Sequence, residues 1–514
     1  MTKCSIKSSV KLTLVSAASI AAVCAANAQT INVITGWNLL GYSGASPLTA
    51  SQIGNTDKYQ TAWKWNSATG KWAFFTPTMA DGGKAYADSK GYDFMNSVNT
   101  GDGFWINAIA PFSVSLSTGS VGTTSSKAVL ATATDAFMVP YLKSNGITAA
   151  TLAIMKNGEV LFEKAYGYKD LSGTIPLTTD ALMTGASIVK PVTGAAIQNL
   201  ATTNNLSLSD KVFCAAGVEP SSANHCWISK TWVSSTDPRI QNITIAHLLA
   251  HKGGWDRSQT NCYAYQISPS QIRSLLSQNG NPPCEPTQHE AIVQNVGGFS
   301  TPPTLEQDIR FFMNSGLDFT PGSSVMYSNF GYMLLGLIIE RASGLDFNTY
   351  VNRSIMSPLG VNSNDFKTTY SLLVNADPRE PNYITSVMFQ SVFEPGTLVP
   401  VRNGAVNAVN FVAAATTSMT SKAMATFAGK FKIDTDSNSV DGIDNGKPLG
   451  VTTNNAYHFG TNPGTAAIVR QFTSGVSYAV LMNKNDLFEG PGNRINYVVD
   501  VKAGIDAVIA TAGY

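Results

Sequence analysis

Thr184-Gly185-Ala186-Ser187-Ile188-Val189-Lys190-Pro191 is the stretch on which the reading of this chain turns. A serine with a lysine three residues later puts both side chains on one side of a helical turn. There the amine can take or share the hydroxyl proton, which makes Ser187 a candidate covalent nucleophile. Pro191 is tolerated only near a helix start, so the helix must begin close to Ser187. The hydroxyl then lies near free backbone N–H groups and the positive end of the helix dipole. Spacing alone is cheap, since Ser8 and Lys11 repeat it. The rest of the chain has to supply the partners.

Outward from that stretch, Ala128 to Tyr514 reads as one large α/β region. Asp135 to Ser144 suggests an amphipathic helix. Thr151 to Met155 and Glu159 to Glu163 read as strands joined by a Lys156-Asn157-Gly158 turn. Near the end, Thr465 to Phe472 and Val476 to Met482 read as a second hairpin, and Val498 to Ala512 as a closing helix. Strands at both ends with helices between fit a sheet assembled from the two termini, an α+β sandwich with an inserted helical region.

Two further elements carry polar side chains in loop settings. Pro321-Gly322 leads into Tyr327-Ser328-Asn329 ahead of an apolar helix, Met333 to Glu340. A tyrosine with an asparagine two residues on can aim both tips into one cleft, although Tyr350-Val351-Asn352 repeats the triplet. The other is Tyr457-His458-Phe459-Gly460-Thr461-Asn462-Pro463-Gly464 at the start of a predicted strand, where glycine lets a substrate approach the backbone.

Three boxes in this order, with their flanks, resemble the serine β-lactamase-like hydrolases, the group of class C β-lactamases, D-alanyl-D-alanine carboxypeptidases and related esterases. The likeness spans about residues 135–510. It includes Lys164 to Asp170, Leu206 to Val212, Ile243 to Gly254 and Ser357-Pro358-Leu359-Gly360. The resemblance implies an α+β, β-lactamase-like sandwich: an antiparallel sheet flanked by helices. Ser187 would attack a carbonyl and form an acyl-enzyme, with Lys190 and Tyr327 sharing the base role. Asn329 would hydrogen-bond the substrate, and the oxyanion would sit between the N–H groups of Ser187 and Thr461, beside Gly460. One departure is informative. His458 stands where the β-lactamases and carboxypeptidases usually carry lysine, and histidine is mostly neutral at pH 7. That favours an uncharged ester or amide over a substrate with a carboxylate. A β-lactamase or D-amino-acid carboxypeptidase is the rival within the class. A non-catalytic protein that binds cell wall or polysaccharide is the rival outside it.

Composition bounds the remainder. A chain of 514 residues suggests two or three domains, and 44% hydrophobic content is ample for large cores. Net charge is +1 without a basic block, which argues against nucleic acid or an anionic membrane as partner. Residues 1–28 read as a secretory signal: Lys3, Lys7 and Lys11, then an apolar run, then Ala26-Asn27-Ala28 before Gln29. The run is too short to span a bilayer comfortably, and no later one is long enough. The expected location is therefore secreted or periplasmic. Once the signal is removed, Cys214, Cys226, Cys262 and Cys284 remain. They allow three connectivities, of which neighbour pairing closes the shortest loops.

Residues 29–112 read as a small β-rich accessory domain holding Trp37, Trp63, Trp65, Trp72 and Trp105 in short alternating runs. These tryptophans read as core and cross-strand packing, with a flat platform for sugar or polymer as the alternative. The segment also resembles Gly-Trp-Asn-Leu-Leu-Gly modules at the front of bacterial exported proteins. Residues 113–127 read as a Ser/Thr/Gly linker. No cofactor and no metal is expected. His247 and His251 have metalloprotease spacing, but Leu248 stands where that motif needs glutamate. Residues 434–445 have the oxygen density of a calcium loop, without its glycine or its closing glutamate.

Overall fold

The computed structural model describes residues 29–42, 47–53, 57–67, 69–99, 102–116, 126–256, 290–314, 316–369, 376–433, 446–449, 455–485 and 496–514. The signal segment, Ser8, Lys11, Cys262, Cys284 and residues 434–445 lie outside them. The chain divides into two units, residues 1–124 and 125–514.

In the first unit, β1 (Gln29–Val33) pairs antiparallel with β7 (Phe112–Leu116). A five-stranded sheet runs in the order β2 (Gly36–Gly41), β6 (Gly103–Ala108), β3 (Tyr59–Asn66), β4 (Lys71–Phe75) and β5 (Asp93–Phe94), with α1 (Lys84–Lys90) before β5. The strand β7 corrects the linker reading. Phe112-Ser113-Val114-Ser115-Leu116 alternates with period 2 and has β1 to pair with, so the strand runs four residues past the expected boundary. The tryptophans need a larger correction. The core of this unit is built from Leu40, Tyr59, Ala62, Phe75, Phe104, Ile106 and their neighbours, and no tryptophan belongs to it. Cross-strand register puts Leu39, Trp105, Trp63 and Phe74 in one row on the opposite face. Trp37, Trp65 and Trp72 lie on that face at period 2. Trp37, Trp65, Trp72 and Trp105 are exposed there. The cross-strand part of the expectation holds, as Trp65 and Trp72 meet edge to face at 5.5 Å.

The second unit is organised on a five-stranded antiparallel sheet in the order β9 (Glu159–Gly167), β8 (Ala149–Lys156), β12 (Val476–Met482), β11 (Thr465–Gln471), β10 (Ala456–Asn462). The β8–β9 hairpin turns through Asn157 and Gly158, both at positive φ (51° and 88°), the backbone a tight Asn-Gly turn requires. Side-chain alternation sorts two cores. Leu152, Ile154, Ile468 and Val480 face α2 (Ser126–Ser144) and the last helix, Tyr497–Thr511. Ala153, Met155, Val469 and Leu481 face the other way, onto a mainly helical layer. That layer includes α3 (Lys190–Thr202), α4 (Ile245–Leu249), α5 (Glu290–Gly297), α6 (Leu305–Phe312), α7 (Asn329–Ser343) and α8 (Ser421–Ala428); the closing helix is then α9. Ser187 lies in this second layer, where α3 meets the edge strand β10. Cys214, just after the short strand Lys211–Phe213, forms a disulfide with Cys226, which opens the parallel strand Cys226–Ile228.

Candidate active site

Ser187 occupies a single 3-10 turn, Ala186–Val189, that runs directly into α3. Ala186 just before it has φ 46°, a left-handed backbone rarely taken by a residue with a Cβ. It is wholly buried, so the surroundings fix this turn rather than local preference. Pro191 occupies the first turn of α3, where its missing N–H costs nothing.

Lys190 is completely buried, and its ammonium meets three oxygens. They are Ser187 Oγ at 3.3 Å, Asn329 Oδ1 at 2.6 Å and the Ala414 carbonyl at 2.8 Å. Three donors facing three acceptors is how a lysine tolerates full burial. Tyr327 brings its hydroxyl to 2.6 Å from Ser187 Oγ. Its ring lies under the Lys190 ammonium, 4.7 Å from centroid to Nζ. Serine, lysine and tyrosine thus converge although Tyr327 is 140 residues from Ser187 in the chain. A hydroxyl that accepts from Lys190 and lies this close to the phenol oxygen can pass its proton to that oxygen, once ionised, while its own oxygen attacks.

The third box lies on the edge strand. His458 and Gly460 share one face of β10, and His458 is buried. A Cβ on Gly460 would fall 2.1 Å from the Gly185 carbonyl oxygen and 3.0 Å from the Ser187 nitrogen. Only glycine lets this strand come so close to the nucleophile's turn. Thr461 follows at the same strand edge. Asn329 is the first residue of α7, its side chain oriented by Lys190; Ser328 caps that helix by accepting from the Gly331 N–H. The repeated triplet is structural, as Tyr350 donates to Asn199 Oδ1.

Two contributors escaped the sequence reading. One is the segment 408–416. Its last part, Val412–Thr416, is one wide π-helical turn whose Ala413 and Ala414 carbonyls accept from Thr193 and Lys190 of α3. Beneath it, Asn410 donates to Glu290 of α5 (2.7 Å), Asp308 of α6 (2.8 Å) and the Pro303 carbonyl (2.9 Å). Both carboxyls are buried. Burial raises Glu290 well above its usual range, with the Asp308 charge adding to it; burial also pushes Asp308 up, to about 7. Glu290 therefore holds a proton that Asp308 accepts. The other contributor is His251, stacked on the Tyr327 ring at 4.6 Å. The two histidines with metalloprotease spacing point apart. α4 ends at Leu249, so His251 is already beyond it, whereas His247 caps the same helix by accepting from Thr244.

A small recess beside the site is lined by Thr184, Arg402, Asn462 and Thr465, among others. Arg402 is bound to Glu380 at 2.7 Å, so this buried cation is already neutralised.

The family described as Beta-lactamase matches residues 134–499. Among curated relatives, Protein flp of Staphylococcus aureus (strain N315) is 26% identical over 228 residues, 44% of this chain and 36% of its own length. Penicillin-binding protein 4* of Bacillus subtilis (strain 168) is 28% identical over 215 residues, 41% of this chain and 36% of its own length. The matches therefore span little more than a third of those relatives. Among solved structures, a β-lactamase/D-alanine carboxypeptidase from Yersinia pestis aligns at 16% identity. It covers 75% of this chain and 99% of its own, with a TM-score of 0.49. With a match running across most of the chain and through all three boxes, the chain belongs to the β-lactamase family.

Proposed function

We propose that the protein is an exported serine hydrolase that cleaves a carboxylic ester, or an amide, through an acyl-enzyme on Ser187. The observation that carries this reading is the 2.6 Å approach of Tyr327 to Ser187 Oγ, beside a buried Lys190 at 3.3 Å. Tyr327 has the shorter path, so it takes the serine proton as Oγ attacks the carbonyl carbon. Lys190 supplies the positive charge that favours the phenolate. The negative oxygen of the tetrahedral intermediate sits against the N–H groups of Ser187 and Thr461. Its collapse expels the alcohol, which recovers the proton from Tyr327. Water then repeats the sequence on the acyl-enzyme and releases the acid.

With histidine instead of a permanently charged lysine at position 458, and with Arg402 already paired with Glu380, little is left to hold a substrate carboxylate. That supports an uncharged acyl compound over penicillins or peptide C-termini. The disulfide supports an oxidising compartment. Among the described residues no helix is long and apolar enough to cross a membrane. A fluorophosphonate probe should label the wild type and not Ser187→Ala, and hydrolysis of p-nitrophenyl acetate should fall by about a thousandfold or more in that variant. Fast turnover of a chromogenic cephalosporin with an inert ester would replace the esterase by a β-lactamase. Absence of labelling would leave a binding protein.

The accessory unit binds an uncharged polysaccharide in this reading. All five of its tryptophans share the sheet face opposite the core, and the outward strand positions from Trp37 to Asn107 carry no charge. Flat aromatic rings without charge suit the apolar faces of neutral sugars and offer nothing to an anionic lipid or a nucleic acid. Trp65→Ala with Trp72→Ala should abolish co-sedimentation with insoluble neutral polysaccharide while ester hydrolysis is unchanged. Equal sedimentation of variant and wild type would discard the idea.

A further inference from the structure

We propose that His251 is a positioning residue that holds the phenol of Tyr327 over Ser187, an inference that rests on Tyr327 being the proton acceptor. His251 engages the chain on both sides of the tyrosine. Its carbonyl accepts from the Met326 N–H at 2.8 Å, and its Nδ1 accepts from the Ser328 N–H at 3.1 Å. Between these two points its ring stacks on Tyr327, with centroids 4.6 Å apart and planes at 29°. Tyr332 of α7 lies 5.0 Å from the same imidazole. Tyr327 is therefore fixed at the residue before it, at the residue after it and across its ring, all by one side chain and its own carbonyl.

The backbone makes this arrangement possible. His251 has φ 55°, directly beyond the end of α4. A left-handed residue there reverses the chain, so that Lys252 and Gly254 pair with Gly322 and Asp318 while residue 251 meets Met326. Histidine and asparagine are among the few residues other than glycine that enter this region readily. An Nδ1 that accepts from a backbone N–H has no proton, so the neutral ring carries its proton on Nε2. Protonation of Nδ1 would break the Ser328 bond and add a cation to a pocket where the Lys190 ammonium already faces the Tyr327 and Tyr332 rings. Lys252 is next in the chain.

His251→Phe keeps a ring to stack and loses the acceptor. His251→Asn keeps an acceptor and the left-handed backbone and loses the stack. With p-nitrophenyl acetate, His251→Phe should lower kcat by about a hundredfold, the order of loss for a reacting group displaced by about 1 Å, with KM within about twofold. His251→Asn should recover kcat to within about tenfold of wild type. Wild-type kcat in His251→Phe would overturn the proposal, as would an asparagine variant no better than His251→Phe. If the phenylalanine variant fails to fold, the asparagine variant decides against Tyr327→Phe: equal losses in those two overturn the proposal. Failure of wild type to hydrolyse the ester or take up the fluorophosphonate probe would instead remove the parent reading.

Discussion

Two clusters of wholly buried charge sit on the same stretch of chain, residues 408–416, and they solve the problem of burial in opposite ways. Lys190 is met by three oxygens drawn from the 3-10 turn of Ser187, α7 and the π-helical turn. Glu290 and Asp308 avoid a second charge by sharing a proton, and Asn410 fills the space between them. The first arrangement points a reactive group at Ser187. The second clips α5 and α6 to the segment whose next turn holds Lys190 in place. A buried charge that is fully solvated by protein oxygens serves chemistry here; a buried pair that shares a proton serves anchorage.

Lys190→Met tests the first half of that contrast and carries the largest expected effect. Methionine fills similar volume without charge, so the fold should survive with a loss of roughly 1–3 kcal/mol from the oxygens left without a donor. Ester hydrolysis should fall by about a thousandfold or more, measured alongside a denaturant titration. A variant that loses stability and keeps activity would make Lys190 an anchor as well, and the contrast would collapse. Gly460→Ala follows. Its Cβ has no room beside the Gly185 carbonyl, so β10 must shift away from the Ser187 turn. The expected loss is about a hundredfold in kcat with modest change in melting temperature, since the rest of β10 stays paired with β11. Full activity would show that the oxyanion is held elsewhere.

How much of this could be read from the chain depended on whether the information lay in side-chain type or in backbone placement. The Ser187–Lys190 spacing, the Asn157-Gly158 turn and the apolar runs of β8, β11 and β12 are local, and each can be read without knowing what packs against it. Tyr327 and Gly460 needed their flanking residues. The Ala414 carbonyl had no signature, because every residue has one and only the π-helical turn aims it. His251 was visible as the partner of His247 at helical spacing, and a single left-handed residue after α4 sent it to Tyr327 instead. The tryptophans failed for another reason. In β3 the more apolar parity carries Trp63 and Trp65 while the core side holds Ala62 and Lys64, so period 2 locates the strand and points to the wrong face as core. The carboxylate pair drew no notice because acidic residues in helices are normally solvated.

Asp308→Asn tests the second half of the contrast, with the smallest effect and a distinctive sign. The folded protein holds the shared proton to higher pH than the unfolded chain, whose carboxyls titrate near 4. Asp308, raised to about 7, contributes stability that is complete below about pH 4 and is lost as pH rises through about 7. An amide keeps position 308 neutral at any pH. Wild type and variant should therefore melt together near pH 5. Near pH 8.5 the variant should melt about 2 °C higher, the scale expected for roughly 1–2 kcal/mol in a unit of this size. Activity per folded molecule should not move, because Asn410 still ties 408–416 to Glu290. A variant that melts lower at every pH would mean that the amide cannot replace the proton. An equal gain at pH 5 and pH 8.5 would mean that no proton is shared, and the two clusters would then differ only in sign.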